Sequence, residues 1–189
     1  MKNIFFISLS LFFIISCTSG GHKRPGYSKD YTSDSVVYSN AKVIKILDGD
    51  TYDILFSDNT TERIRMEGID APEKGMPYYK VAKNYLGQLC FGKQIKIQRT
   101  GKDRHGRTLA YTYLPDNTEL SHEMLKAGLA WHYKKFNKDS DLAALEATAK
   151  ANKTGLWADP RAMAPWDNRN YHRQGISTKD SFNIQNDGE

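Results

Sequence analysis

From about Val36 the chain alternates apolar and polar residues in short runs. In "AKVIKILDGD" (Ala41 to Asp50), Val43, Ile44 and Ile46 are interleaved with lysines, and "DTYDILF" follows as a second short β run. "SDNTT" supplies turn residues, so the second run is expected to pair with "ERIRMEG" as a hairpin. The period then changes. In "PYYKVAKNYLGQLCFG", Val81, Tyr85, Leu86 and Leu89 recur at helical spacing and Gly92 can close the helix. "KQIKIQRT" and "GRTLAYTYL" alternate again as two strands joined by the polar loop "GKDRHG". "NTELSHEMLKAGLA" and "DSDLAALEATAKANKTG" are two further helices, the second with Asp139 or Ser140 as N-cap and Gly155 as C-cap. Leu142, Leu145, Ala149 and Leu156 form its expected packing stripe. Beyond Trp157 the periodicity is lost. Pro165 and Trp166 are candidates to dock on the domain, and the last dozen or so residues read as disordered.

Five short strands with a helix between the third and fourth predict a small closed Greek-key barrel of the OB type, a β-barrel with about three α-helices in the α+β class. The 189 residues suit one such domain plus tails, here residues 36–160, followed by a polar C-terminal tail over 161–189. No internal repeat is visible. A formal charge of +5 is compatible with a polyanionic partner, but modest basicity by itself is equally the mark of a solvated surface. The barrel type also does not establish an activity.

Three separated segments place charged groups at the ends of predicted strands. They are "LDGDT" with Asp48 and Asp50, "RMEGIDAPE" with Arg65, Asp70 and Glu73, and "DRHGRTLAY" with Arg104, His105 and Arg107. A hard cation such as Ca²⁺ takes several oxygen ligands, and Asp50 and Asp70 are the natural donors. Phosphodiester cleavage needs positive groups on the nonbridging oxygens as charge builds there, a need that the guanidinium forks of Arg65 and Arg107 meet. Glu73 suits the task of holding and deprotonating an attacking water. An EF-hand is excluded, because "DGDTYDILFSDN" lacks both the Gly at the sixth loop position and the Glu at the twelfth. Cys90, within "YLGQLCFG", has no His or other base at a recognisable spacing and is read as a small buried hydrophobe rather than a nucleophile.

"ILDGDT", "RIRMEGIDAPE" and "DRHGRTLAY", in this order and at these separations, resemble the signature blocks of the staphylococcal nuclease family, also called thermonucleases. The likeness runs from about Ala41 to Trp157 and includes "LKAGLA" and "GLW". It implies an OB barrel and Ca²⁺-dependent hydrolysis of DNA and RNA that cuts the P–O5′ bond and leaves 3′-phosphate ends. It also implies that Asp50 and Asp70 are carboxylate ligands of Ca²⁺, with Ala71 contributing a backbone carbonyl. Glu73 falls at the general-base position, Arg65 and Arg107 at the phosphate-binding arginines, and Asp48 at a nearby acidic position behind the ligands. Arg104 and His105 stand where the best-known member has Lys and Tyr against the substrate phosphate. Tyr133, in the shortened stretch "WHYKKF", is the candidate for stacking or a phosphate hydrogen bond. The competing reading is a noncatalytic nucleic-acid-binding OB-fold lipoprotein, or a surface adhesion lipoprotein whose barrel only binds a partner. Neither explains why Asp50, Asp70 and Glu73 sit together among phosphate-attracting groups.

"MKNIFFISLSLFFIISC" has a basic Lys2, an apolar stretch from Ile4 to Ile15 and a small residue before Cys17, the layout of a secretory signal. "IISCTSGG" resembles the lipobox of bacterial lipoproteins, which implies that residues 1–16 are a signal peptide and that Cys17 carries a lipid. Residues 17–35, rich in Gly, Ser, Lys, Arg, Asp and Tyr, read as a flexible tether. The expectation is an exported protein, anchored to the cell envelope or secreted, acting on DNA and RNA as a monomer with no protein partner. With only Cys17 and Cys90 present, no disulfide framework is expected, and stability falls to the core or a bound ion.

Overall fold

The computed structural model describes residues 38–186, so the expected signal peptide (1–16), the expected lipidation site Cys17 and the whole of the expected tether (17–35) lie outside the described residues. The alternating runs become strands β1 (Tyr38–Ile46), β2 (Thr51–Leu55) and β3 (Thr61–Met66). A two-residue strand β4 (Ile69–Asp70) and helix α1 (Tyr79–Cys90) follow, then β5 (Gln94–Lys102) and β6 (Thr108–Tyr113). Helix α2 (Leu120–Lys126), strand β7 (Trp131–His132) and helix α3 (Ser140–Ala151) come next. A 3-10 turn over Gly155–Ala158 leads to helices α4 (Pro165–Arg173) and α5 (Thr178–Asn186).

The five long strands close into a barrel in the order β1-β2-β3-β6-β5, and β4 pairs with β7 beside it. Closure comes from β1, which pairs antiparallel with both β2 and β5, and from a parallel contact between β3 and β6. Alternation sends Val43, Tyr52, Ile54, Ile64, Met66, Ile95, Ile97 and Ala110 inward, all essentially inaccessible to water. The Tyr52 hydroxyl, buried among them, pairs with the Thr112 hydroxyl and so satisfies its polar end. The expected OB-type barrel is the observed fold, with five α-helices among the described residues where about three were expected.

The local differences have physical causes. α1 buries Ala82, Leu86 and Cys90, while Val81 is 51% exposed, contrary to the expected stripe. The helix meets the barrel loops so closely at Ala82 that small residues line the seam, and a pattern of large residues does not mark it. Asp139 caps α3 by accepting the amides of Asp141 (2.7 Å) and Leu142 (3.3 Å). The expected C-cap at Gly155 is displaced: α3 ends at Ala151, and Lys153 adopts the left-handed conformation (φ 52°). The tail past Trp157 contains α4 and α5 instead of lacking structure. Pro165 begins α4, Asp167 lies in its first turn, and His172 and Arg173 lie in its last, so its end charges complement its dipole. Trp166 docks as expected, stacked on Tyr133 with centroids 5.3 Å apart and planes 3° from parallel.

Glu146 of α3 fastens β7 to the bundle. Its buried carboxylate accepts the His132 amide (3.1 Å) and Lys134 Nζ (2.5 Å), with Lys150 Nζ 3.3 Å away. Burial works against its ionisation, but the Lys134 hydrogen bond and the Lys150 charge outweigh it and hold the carboxyl below its ordinary value of 4.5. A carboxyl depressed in the folded state contributes stability that is present above its unfolded pKa and lost as pH falls through the folded value. Glu146→Gln is therefore expected to flatten the acid limb of Tm against pH below about pH 4.5. An acid limb identical to that of the unaltered protein would contradict this role.

Candidate active site

Strand register assembles the three charged segments. Thr51, which follows Asp50, pairs with Arg65 across β2 and β3, and the Met66 amide donates to the Asp50 carbonyl at 2.9 Å. The parallel pairing of β3 with β6 sets Arg65 against Leu109, so Arg107 lies at the neighbouring strand start. A parallel register across the barrel closure thus brings residues some forty positions apart to one edge.

Arg65 is the hub of that edge. Its Nη1 donates to the carbonyls of Met66 and Ile69, both at 2.7 Å, and its Nη2 donates to Asp70 Oδ1 at 2.9 Å. Its Nε lies 3.1 Å from Asp50 Oδ1. The segment from Met66 to Asp70 therefore wraps around one guanidinium. Gly68 permits the wrap: its φ is +77°, and a Cβ there would sit 2.4 Å from Leu142 Cδ1. Gly49 permits the approach of the other loop, since a Cβ on it would lie 2.8 Å from those of both Ala71 and Ala82. Asp50 then accepts the Ala71 amide on Oδ2 (2.7 Å) and the Thr51 hydroxyl on Oδ1 (2.9 Å).

Asp50, Arg65 and Asp70 are only 5%, 8% and 3% exposed and are set against one another, and burial still raises the Asp70 carboxyl above its ordinary value despite the Arg65 charge and the Arg169 hydrogen bond. Burial works against the charged guanidinium of Arg65, but Asp50, Asp70 and Asp48 outweigh it and raise its pKa. Asp48 accepts the Asp50 amide at 3.0 Å. Burial and then the adjacent Asp50 charge push its carboxyl up to about 7.

The remaining residues lie around this hub. Arg107 is held by Asp103, which accepts its Nε at 2.6 Å and its amide at 3.0 Å, while Nη1 reaches the Thr51 hydroxyl at 3.3 Å. Its side chain is about one-third exposed and is the most open of the basic groups joined to the hub. Arg104 and His105 sit on the exposed turn before it, Arg104 Nε donating to His105 Nε2 at 3.0 Å. Neither side chain hydrogen-bonds to Asp50, Arg65 or Asp70. Tyr133 is tied to the site loop through its amide, which donates to the Gly68 carbonyl at 2.8 Å. One face of its ring is covered by Trp166 and Phe136 packs edge-on at 4.8 Å, which limits any stacking on a base.

Sequence reasoning missed a group that reaches both acidic partners. Arg169 of α4 donates from Nη2 to Asp70 Oδ2 and from Nη1 to Glu73 Oε1, each at 2.6 Å. Asn168 Nδ2 donates to Glu73 Oε2 at 3.3 Å. Burial disfavours the charged form of Arg169, but the hydrogen bonds and charges of Asp70 and Glu73 outweigh it and raise its pKa. The only local signal was the proline in "APWDNR", which marks a helix start but not the face that the helix presents.

Among the described residues, no group of three or more His, Cys, Asp or Glu is arranged as a ready-made metal cage. The buried pair Asp50 and Asp70 instead offers carboxylate oxygens whose partners are guanidinium, hydroxyl and amide groups.

Residues 63–159 match the family model described as staphylococcal nuclease homologue. A protein named "Uncharacterized endonuclease" from Escherichia coli O157:H7 is 36% identical over 127 residues, covering 67% of this chain and 82% of the relative. A protein of the same name from Haemophilus influenzae is 37% identical over 127 residues, covering 67% and 71%. The "Micrococcal nuclease" of Shigella flexneri is 36% identical over 135 residues, covering 66% and 77%.

Cys90 lies apart from this cluster, fully buried on α1 with its thiol donating to the Leu86 carbonyl at 3.2 Å. Burial pushes the thiol up to about 12, which suppresses the thiolate. Mass-spectrometric mapping of iodoacetamide adducts is expected to find Cys90 unmodified in the native protein and modified after denaturation. Rapid native labelling at Cys90 would contradict its assignment as a packing residue.

Proposed function

Because the chain belongs to the staphylococcal nuclease family, we propose that it is a Ca²⁺-dependent nuclease that hydrolyses DNA and RNA, leaving 3′-phosphate and 5′-hydroxyl ends. The observation that carries this reading is the convergence of the three charged segments on the buried Asp50–Arg65–Asp70 cluster, with Arg107 and Glu73 at its margin. A hard divalent cation suits the donor set, which is composed of oxygens, and Asp50, Asp70 and the Ala71 carbonyl are the groups proposed to hold it. When bound, the cation supplies Lewis-acid polarisation of the phosphate and neutralises its charge.

The chain's own groups divide the remaining work. Glu73 orients a water and takes its proton as the water oxygen forms a bond to phosphorus. The P–O5′ bond breaks, its electron pair stays on O5′, which takes a proton from solvent to leave as the 5′-hydroxyl, and Arg107 stabilises the charge that collects on the phosphate and leaving oxygens. Arg65, with most of its donors committed to Met66, Ile69, Asp50 and Asp70, acts chiefly by fixing the two carboxylates, and the remaining Nη2 hydrogen is the one proposed to donate to the phosphate. Arg104 and His105, exposed on the turn before Arg107, extend the positive edge along which a strand would lie. The apolar N-terminal segment and Cys17 support export with a lipid anchor on the envelope.

Incubation with single-stranded DNA in Ca²⁺ is expected to give fragments ending in 3′-phosphate, and EGTA is expected to abolish them. Glu73→Ala and Arg107→Ala should each lower the rate by roughly 10²- to 10⁴-fold while Cys90→Ala leaves it near the starting value. Binding of DNA without cleavage in Ca²⁺ would sink the enzyme reading in favour of a noncatalytic nucleic-acid-binding barrel.

A further inference from the structure

The structure assigns to Arg169, on helix α4 outside the barrel, the role of a positioning residue that sets the carboxylate of Glu73 relative to Asp70. The inference rests on the nuclease reading and adds to it a residue from the C-terminal segment.

Glu73 lies on a stretch that belongs to neither strand nor helix, between β4 and α1, and its side chain is 35% exposed. Its amide donates to Met76 Sδ at 3.3 Å, which fixes the backbone but not the carboxylate. Both carboxylate oxygens are instead held from α4, Oε1 by Arg169 at 2.6 Å and Oε2 by Asn168 at 3.3 Å. A carboxylate on an irregular segment would otherwise sample several rotamers, and a water it holds would sample them too.

The same guanidinium donates to Asp70 Oδ2 at 2.6 Å. One rigid planar fork therefore spans the proposed cation ligand and the proposed base, which fixes their separation as well as their direction. A lysine, presenting a single point of charge on a flexible stem, does not reproduce that span.

α4 is built to hold this position. Ala164 and Pro165 are buried at its start, Asn168 is fully buried, and Trp166 stacks on Tyr133. Arg169 also lies 6.0 Å above the Tyr133 ring. Tyr133 is in turn tied to Gly68, at the turn that Arg65 organises. The helix is thereby referenced to the same loop as the carboxylates it orients.

The test uses the full chain with Arg169→Ala and Arg169→Lys, and Arg173→Ala as a control from the exposed end of the same helix. Three quantities are measured: kcat and KM on single-stranded DNA at saturating Ca²⁺, a Ca²⁺ isotherm without substrate, and a thermal melt. Arg169→Ala is expected to lower kcat by about 10- to 100-fold with KM changed less than about threefold. Its Ca²⁺ affinity should be kept or tightened, because a competing cation has left Asp70. Arg169→Lys is expected to recover only part of kcat, and Arg173→Ala to match the unaltered protein. A kcat at or above that of the unaltered protein would overturn the assignment and make Arg169 a stand-in cation that Ca²⁺ displaces. A raised KM at unchanged kcat would overturn it in favour of substrate binding. Loss of Ca²⁺ binding in both variants would reduce Arg169 to a structural tie. If the Ala variant does not fold, the Lys variant decides, and full kcat there overturns the assignment. Absence of cleavage by the unaltered protein would remove the nuclease reading itself, an outcome distinct from all of these.

Discussion

Everything at this site depends on one buried guanidinium. Arg65 is 8% exposed, and its environment satisfies it with two backbone carbonyls and two carboxylates drawn from two loops of chain. Burying an arginine alone would cost several kcal/mol, so the loops must close around it for the fold to form. The same closure holds Asp50 and Asp70 side by side, an arrangement that two like charges would resist without a cation between them. In the proposed function, stability and activity therefore meet in one residue, because a fixed cation already organises the carboxylate pair proposed to hold a hard cation.

The barrel supplies this arrangement through register rather than through sequence proximity. Antiparallel pairing of β2 with β3 puts Thr51 opposite Arg65, and the parallel contact of β3 with β6 brings Arg107 to the same edge. Hydrogen bonds and ion pairs then run from Asp103 through Arg107, Thr51 and Asp50 to Arg65, and onward through Asp70 and Arg169 to Glu73. Acidic and basic members alternate along most of this run, so each charge is offset by its neighbours. The open members lie toward its ends, at Arg107 and Glu73, where a phosphodiester and a water would be met.

The barrel strands and the charged segments were legible in the sequence because each leaves a local mark. Period-two alternation gave the strands, and "LDGDT", "RMEGIDAPE" and "DRHGRTLAY" gave the residues that the register unites. What was not legible depends on docking. Val81 looks like a core residue by spacing but faces out, since α1 approaches the barrel through Ala82 against Gly49 and Ala71. Arg65 reads from the sequence as a phosphate ligand, and its second role, as the internal hub around which Met66 to Asp70 wrap, leaves no local mark. Arg169 sits in a polar segment without periodicity, and only the packing of Pro165, Trp166 and Asn168 aims it at Asp70 and Glu73. A short helix with a narrow buried stripe carries too few apolar positions for its face to be read in advance.

Exchange of Arg65 for lysine tests the account most directly, because it preserves the charge and removes the fork. The account predicts that Arg65→Lys keeps a cooperative thermal transition, although at lower temperature, while DNA cleavage in Ca²⁺ falls by at least about tenfold, since one ammonium cannot hold both loop carbonyls and both carboxylates. Cleavage by Arg65→Lys at the rate of the unaltered protein would show that charge alone suffices, and would contradict the claim that guanidinium geometry builds the site.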